Sequence, residues 1–157
     1  MIFLSISYFR NALLKLLKAR RDEYKSIKHD ITKILNGKKP EELFSYPDMI
    51  HQDKNFKIIK LRLLNSASKL SKKDGYRLIY VINNKKDLVC LFYTYPKRGS
   101  LGQIDISDND LADYVEEYIN KLGDKTLICH DITKELSINK KYLCNNETCI
   151  YEQTNCA

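Results

Sequence analysis

The sequence lacks the features that would place this protein in a membrane. No run of apolar residues approaches the roughly 18 that a transmembrane helix requires. The apolar N-terminus, residues 1–9, has no basic segment before it and no small-residue cleavage site after it, so we expect a strand there rather than a signal peptide. The five cysteines are an odd number in a lysine-rich chain, which favours a reducing compartment. We therefore expect a cytoplasmic protein, and we expect no membrane partner.

Motifs for common cofactors and hydrolytic centres are also missing. The five glycines form no phosphate-binding loop, and the three histidines belong to no recognisable Ser-His-Asp set. No pair of carboxylates stands out as an acid–base couple. The cysteines, taken with His130, fit no common zinc-binding spacing. We therefore expect neither a metal ion nor a cofactor.

Positive charge is what the chain has in excess, and it is unevenly distributed. The formal net charge is +7. Residues 1–98 contain 22 lysines and arginines against 9 aspartates and glutamates, whereas residues 99–157 contain 5 against 11. The first part is therefore the candidate anion-binding surface, which favours a nucleic acid or an acidic protein as partner. An unevenly charged but merely solvated surface is the alternative.

Hydrophobic periodicity predicts an α+β domain. Apolar residues at helical spacing predict two N-terminal helices within residues 8–21 and 24–35, and residues 38–55 are predicted as a loop. Alternating patterns predict three neighbouring antiparallel strands: Phe56–Leu64, Tyr76–Ile82 and Leu88–Tyr95. A further helix is predicted to begin after Ser107 and to end at Gly123. We expect a small antiparallel sheet with the two N-terminal helices on one face, and this C-terminal helix.

Residues 1–123 are expected to form this domain, and residues 124–157 a C-terminal extension. The extension is polar and has no clear period, with one candidate strand at Leu127–Cys129. A chain ending at Gly123 is therefore expected to stay soluble and folded. The helix before it is expected to be essential, because its apolar face closes the core.

Cationic residues recur on the predicted strands at a spacing that would gather them on one face. Lys60 and Arg62 are two residues apart, and side chains two apart on a strand share a face. Arg77 begins the next strand and Arg98 follows the third. Together they would make a patch suited to a phosphodiester backbone. Further RNA-binding candidates are Lys57, Lys72, Lys73, Tyr93, Tyr95 and Lys97. The two tyrosines are included because their rings can stack on bases.

The order of these motifs resembles the RelE/ParE superfamily, the toxins of bacterial toxin–antitoxin modules. The resemblance is carried by the K-x-R strand at Lys60, the G-Y-R-x-I-Y strand that starts at Gly75, and the D-I-S-D helix start at Asp105. It covers roughly residues 1–122. It implies the fold of that superfamily and a cognate antitoxin that blocks or distorts the cationic groove.

The resemblance implies two alternative activities. RelE-like members cleave mRNA in the ribosomal decoding site without a metal, whereas ParE-like members poison DNA gyrase. Lys60, Arg62, Arg77 and Arg98 match the catalytic lysine and arginines that act on the scissile phosphate in RelE-like members. Our leading hypothesis is therefore a ribosome-dependent mRNA endonuclease, in which the RNA 2′-OH attacks the phosphodiester. A non-enzymatic module that binds RNA or an acidic protein is the third alternative.

The proton-transfer residue is where this sequence departs from the family. Some members place a tyrosine or histidine near the start of the last helix, but residues 103–107 contain neither. Tyr93, Tyr95 or a lysine would have to substitute. Lys60 could act as a base if neighbouring cations such as Arg62 and Arg77 lower its pKa.

Overall fold

A computed structural model gives the fold of residues 1–83, 85, 87–139, 142–145 and 148–151, with the backbone alone described for residues 139, 142–145 and 148–151. One sheet is formed by β1 (Ile2–Ser5), β2 (Met49–Gln52), β3 (Phe56–Leu63), β4 (Tyr76–Asn83), β5 (Leu88–Pro96), β6 (Ile128–Asp131) and β7 (Ser137–Asn139). The described α-helices are α1 (Ser7–Leu17), α2 (Ile27–Leu35), α3 (Pro40–Phe44) and α4 (Asp108–Asp124). A separate hairpin pairs β8 (Tyr142–Asn145) with β9 (Thr148–Tyr151).

The strands follow the order β2-β3-β4-β5-β1-β6-β7 across the sheet. Neighbouring strands are antiparallel except β1 and β5, which are parallel. The predicted α+β class is confirmed, but the seven-stranded sheet is larger than the small one expected. Within the described residues, every helix is too short or too polar to span a lipid bilayer.

The N-terminal helices cover one face of the sheet. Because side chains alternate along a strand, Ile59, Leu61 and Leu63 of β3 all point to this face, where they are buried. The helices meet them with apolar residues spaced three or four apart, which are Phe9, Leu13 and Leu16 from α1 and Ile27, Ile31 and Leu35 from α2.

On the opposite face, α4 is the one helix that the described part of the chain packs against the sheet. Its start agrees with the prediction, because the Ser107 hydroxyl accepts a hydrogen bond from the Asp110 amide while the Asp110 carboxylate accepts one from the Ser107 amide. The helix ends at Asp124 and is followed by Lys125 in the left-handed region, with φ 59°. Tyr114 packs among Ile79, Phe92 and their neighbours in this second core.

Two segments outside the three predicted neighbouring strands also contribute strands to the sheet. The predicted loop at residues 38–55 contains α3 and the edge strand β2. Beyond Gly123, β6 pairs with β1 and β7 pairs with β6. Leu127, Cys129 and Leu136 are buried in the two cores. Residues 128–139 therefore contribute two strands to the main sheet, although they lie within the part of the chain predicted as a C-terminal extension.

A buried hydrogen-bond network joins β6 to β1. His130 is 4% exposed and lies opposite Phe3. Because a carbonyl oxygen can only accept, its partners assign the tautomer: Nδ1–H donates to the Leu136 carbonyl at 2.8 Å, and Nε2 accepts from the Ser5 hydroxyl at 2.6 Å. Arg10 donates to the Ser5 carbonyl and hydroxyl, at 3.0 Å each. Burial lowers the pKa of His130 and outweighs the opposing effect of the Leu136 hydrogen bond.

This network predicts a loss of stability in mild acid. The contribution of neutral His130 is fully present above the unfolded-state pKa of 6.5, and it is lost as the pH falls through the lower pKa of the folded state. Urea unfolding between pH 8 and pH 5 should show the free energy of unfolding falling over this window. The fall should be smaller in His130→Gln than in the wild type. His51→Gln, at an exposed position on β2, is the matched control, and equal slopes in the two variants would contradict this role.

Candidate functional site

Strands β3 and β4 bring three predicted catalytic cations to the α4 side of the sheet. Arg62 lies directly opposite Arg77, and Lys60 lies opposite Ile79, which belongs to the α4-side core. Two like charges facing each other across a strand pair are destabilising. Arg62 and Arg77 therefore form a repulsive pair at this end of the sheet. Arg98 follows β5 and contacts Asp74 of the β3–β4 loop, next to the residues that Arg77 binds. We call Lys60, Arg62, Arg77 and Arg98 the cationic patch.

Arg77 is the buried member of the patch, with only 7% of its surface exposed. Its Nη1 donates to the carbonyls of Lys72 at 3.0 Å and Tyr76 at 3.2 Å, and its Nη2 donates to the carbonyl of Lys73 at 2.9 Å. Burial, and secondly the neighbouring Arg62 cation, lower the pKa of Arg77. In this structure the guanidinium holds the loop between β3 and β4, and it offers little surface to a ligand.

The β3–β4 loop is held from its other side by residues that sequence reasoning missed. Asp30 of α2 is 4% exposed and accepts hydrogen bonds from the Ser66 amide at 3.0 Å and the Ser66 hydroxyl at 2.7 Å. The Asn65 side chain donates to the Glu23 carbonyl at 3.0 Å. The one signal in the sequence is that Asp30 interrupts the apolar face of α2, and an interior carboxylate needs such partners.

Gly75 allows this loop to return closely to β3. A Cβ at this position would lie 2.1 Å from the Leu63 carbonyl oxygen. The same residue accepts a hydrogen bond from the Lys97 amide at 2.8 Å, which links the loop to the end of β5. The glycine of the G-Y-R motif is therefore required by backbone packing.

Each exposed cation of the patch is paired with a carboxylate. Lys60 Nζ lies 2.9 Å from Asp105 Oδ1, Arg62 Nε 3.6 Å from Asp48 Oδ2, and Arg98 Nη2 3.0 Å from Asp74 Oδ1. The side chains of Arg62 and Arg98 are 53% and 66% exposed. Ion pairs at such exposure contribute about 0–1 kcal/mol. A phosphate can therefore displace Asp48 and Asp74 from these arginines at little cost.

Asp105 has more partners than the other two carboxylates. Its Oδ1 accepts hydrogen bonds from Lys60, from the Tyr95 hydroxyl at 3.2 Å and from the Ile106 amide at 2.8 Å. Partial burial raises its pKa, but the hydrogen bonds from Lys60 and Ile106 outweigh this effect, so the pKa of Asp105 lies below its usual value. The segment between β5 and α4 thus places an ionised carboxylate against the patch.

The two candidate stacking tyrosines are largely occupied within the fold. Tyr95 is 1% exposed, and burial raises the pKa of its hydroxyl. Tyr93 is half-buried, stacks on Tyr114 with a centroid distance of 5.3 Å and accepts from Gln103 Nε2 at 2.9 Å. Of the two rings, only Tyr93 keeps surface that a nucleobase could reach.

The four lysine candidates fall in different places. Lys72 and Lys73 are exposed in the loop that Arg77 holds, and Lys97 donates from Nζ to the Ile104 carbonyl beside Asp105. Lys57 lies on the opposite face, where its Nζ donates to the carbonyls of Phe44 and Tyr46 and lies 5.3 Å from the Phe44 ring centroid. The structure therefore brings three of them near the patch and leaves Lys57 away from it.

An apolar groove of about 700 Å³ runs between α4 and strands β2 and β3. Its walls include Ile58 from the sheet and Leu111, Val115 and Ile119 from the helix. Ile119 is 60% exposed. The groove lies where the sheet extends beyond the cover of α4.

The described side chains contain no cluster of three or more His, Cys, Asp or Glu residues that could hold a metal ion. Cys156 and the side chains of Cys144 and Cys149 lie outside the described residues. Comparison with known proteins gives no assignment, since no family model matches the chain and neither the curated proteins nor the solved structures contain a significant match.

Proposed function

We propose that this protein is the toxin of a toxin–antitoxin module and acts in the cytoplasm as a RelE-like, ribosome-dependent mRNA endonuclease. The observation that carries the proposal is the placement of Lys60, Arg62 and Arg77 on one face of β3 and β4, next to a loop bearing Lys72 and Lys73. This placement is what the K-x-R and G-Y-R motifs require if they act on one phosphate. The order of motifs through Asp105 provides the second support.

The patch suits phosphoryl chemistry without a cofactor. Cleavage of RNA by its own 2′-OH needs alignment of that hydroxyl, stabilisation of the phosphorane charge and protonation of the leaving 5′ oxygen. Arg62 and Arg98 are exposed and permanently charged, so they are the residues we assign to the phosphate. Lys60 adds a third donor. We assign Arg77 to holding this arrangement, because its donors are directed at loop carbonyls.

Replacing Arg62 tests the proposal directly. Induced expression of the wild type should arrest growth, and primer extension on cellular mRNA should show new cuts within translated regions. Arg62→Ala should reduce cutting about tenfold or more, since a charge-assisted hydrogen bond contributes about 1.5–3 kcal/mol. Lys33→Ala removes an exposed cation from α2 on the other side of the sheet and should cut like the wild type.

The alternatives give different results in the same cells. Intact mRNA together with trapped gyrase–DNA complexes would support the ParE-like activity instead. Expression without growth arrest would support a non-enzymatic module.

A protein partner is favoured by one specific observation, the apolar groove beside α4. Its lining is mostly apolar and includes the carboxylates of Asp108 and Glu116, so it fits an amphipathic segment with apolar and basic residues. For the proposed toxin, this partner is the cognate antitoxin, whose acidic residues would reach the neighbouring patch. The same groove would serve the non-enzymatic alternative.

A further inference from the structure

We infer that Asp105 is the catalytic proton acceptor, the group that removes the proton from the RNA 2′-OH. This role rests on the proposed endonuclease function. Asp105 lies in the segment before α4, where the sequence contains neither the tyrosine nor the histidine that the resemblance leads one to expect. It directly contacts Lys60 of the cationic patch.

The position of this carboxylate is defined by groups from three segments. Oδ1 accepts from Lys60 of β3, from Tyr95 of β5 and from its own neighbour Ile106. Of these three groups, only Lys60 also contacts Oδ2, at 3.1 Å. Because the side chain is 53% exposed, Oδ2 can receive a substrate hydroxyl without any change in the rest of the network. A base that is held before the substrate arrives needs little reorganisation.

The other groups around the patch are less suited to accept a proton. The Tyr95 ring is buried and its hydroxyl already donates to Asp105. Arginine side chains cannot be deprotonated in proteins. Asp48 and Asp74 each contact a solvent-exposed arginine, whereas Asp105 is bound by a buried tyrosine and a backbone amide in addition to Lys60. The Asp105 carboxylate is ionised at neutral pH, which is the form that can accept a proton.

The step balances without any further cofactor. The 2′-OH proton passes to Oδ2 of Asp105 while the 2′ oxygen forms a bond to phosphorus. The P–O5′ bond breaks, which leaves a 2′,3′-cyclic phosphate on the upstream fragment. The 5′ oxygen takes a proton from water, and Asp105 returns its proton to the hydroxide that remains. Lys60, Arg62 and Arg98 stabilise the added negative charge of the phosphorane.

The decisive variant is Asp105→Asn, because asparagine keeps the shape and the acceptor oxygen of aspartate but is not a base. Single-turnover cleavage of a short defined mRNA on bacterial ribosomes should fall about 100-fold at saturating protein, the lower end of the usual effect of a general base. Affinity for the programmed ribosome should stay equal or become tighter, because a negative charge has been removed from a cationic surface. Asp105→Glu should recover part of the rate. Asp113→Asn, at an exposed position on α4, is the charge-matched control and should behave as the wild type.

The possible failures are distinguishable. Wild-type cleavage that Asp105→Asn leaves unchanged or accelerates would overturn the role of Asp105 alone. Weakened binding at an unchanged saturating rate would also overturn it, because that result assigns Asp105 only to positioning Lys60. If the wild type does not cleave in this assay, the proposed endonuclease function fails, and the catalytic role of Asp105 fails with it.

Discussion

A chain that ends at Gly123 is expected to lose its folded structure. Such a truncation removes β6 and β7, so β1 becomes an unpaired edge and Ser5 loses its hydrogen bond to His130. It also removes Leu127 and Leu136 from the cores. Burial of each large apolar side chain contributes about 1.5–3 kcal/mol. The combined loss is comparable to the roughly 5–15 kcal/mol by which a typical domain is stable.

Far-ultraviolet circular dichroism and size-exclusion chromatography of two truncations measure this effect. The chain ending at Gly123 should aggregate or show little regular structure. The chain ending at Asn139 is the control, because it keeps all seven strands of the main sheet, and it should stay soluble with a cooperative thermal transition. A soluble, cooperatively unfolding chain that ends at Gly123 would instead support the extension predicted from the sequence pattern.

Arg77→Ala is expected to destabilise the fold more than any other single substitution in the patch. It removes hydrogen bonds to three loop carbonyls, those of Lys72, Lys73 and Tyr76, and it leaves a space beside buried residues. Hydrogen bonds from a charged donor contribute about 1.5–3 kcal/mol each when one partner is removed, although they do not add fully. We expect a loss of about 3 kcal/mol in the free energy of unfolding.

Urea unfolding gives the free energy, and limited proteolysis reports on the loop. Arg77→Ala should become susceptible to cleavage within residues 65–75, whereas Arg62→Ala should change the free energy by less than about 1 kcal/mol because its ion pair is exposed. Equal stability of the two variants would show that Arg77 does not hold the loop. The comparison of the two variants also guides the activity assays. Loss of cleavage in Arg77→Ala can result from lost folding as well as from lost chemistry, whereas loss of cleavage in Arg62→Ala reports on the chemistry.

Local patterns in the sequence predict the centre of the fold well. The alternation of Ile59, Leu61 and Leu63 with Lys60 and Arg62 predicts β3 to within one residue. The same alternation places the two cations on one face. The start of α4 follows equally from Ser107 and Asp110, which satisfy each other within a single turn. Each of these features depends on residues close together in the sequence.

The features that the sequence does not reveal depend on distant contacts. Strand β6 overlaps the candidate strand at Leu127–Cys129, but its four residues are too few for a clear period, and its place in the sheet comes from pairing with β1 more than 120 residues earlier. The sequence pattern indicates an exposed cation at Arg77. The residue is buried because its guanidinium binds carbonyls of the β3–β4 loop, which the local pattern does not show. Asp105 carries no signal in isolation, because its contact with Lys60 joins residues 45 apart.

The interior position of β1 determines when the protein can acquire its structure during synthesis. Residues 2–5 are made before both of their neighbours in the sheet, residues 88–91 and 128–130. The nascent chain therefore carries both edges of β1 unpaired until the first of these segments is made, and one edge unpaired until the second is made. Contacts of such long sequence separation form slowly. For the proposed toxin, translation that stops before β6 and β7 would leave the sheet incomplete, so activity would appear only after residues 128–139 have left the ribosome that made them.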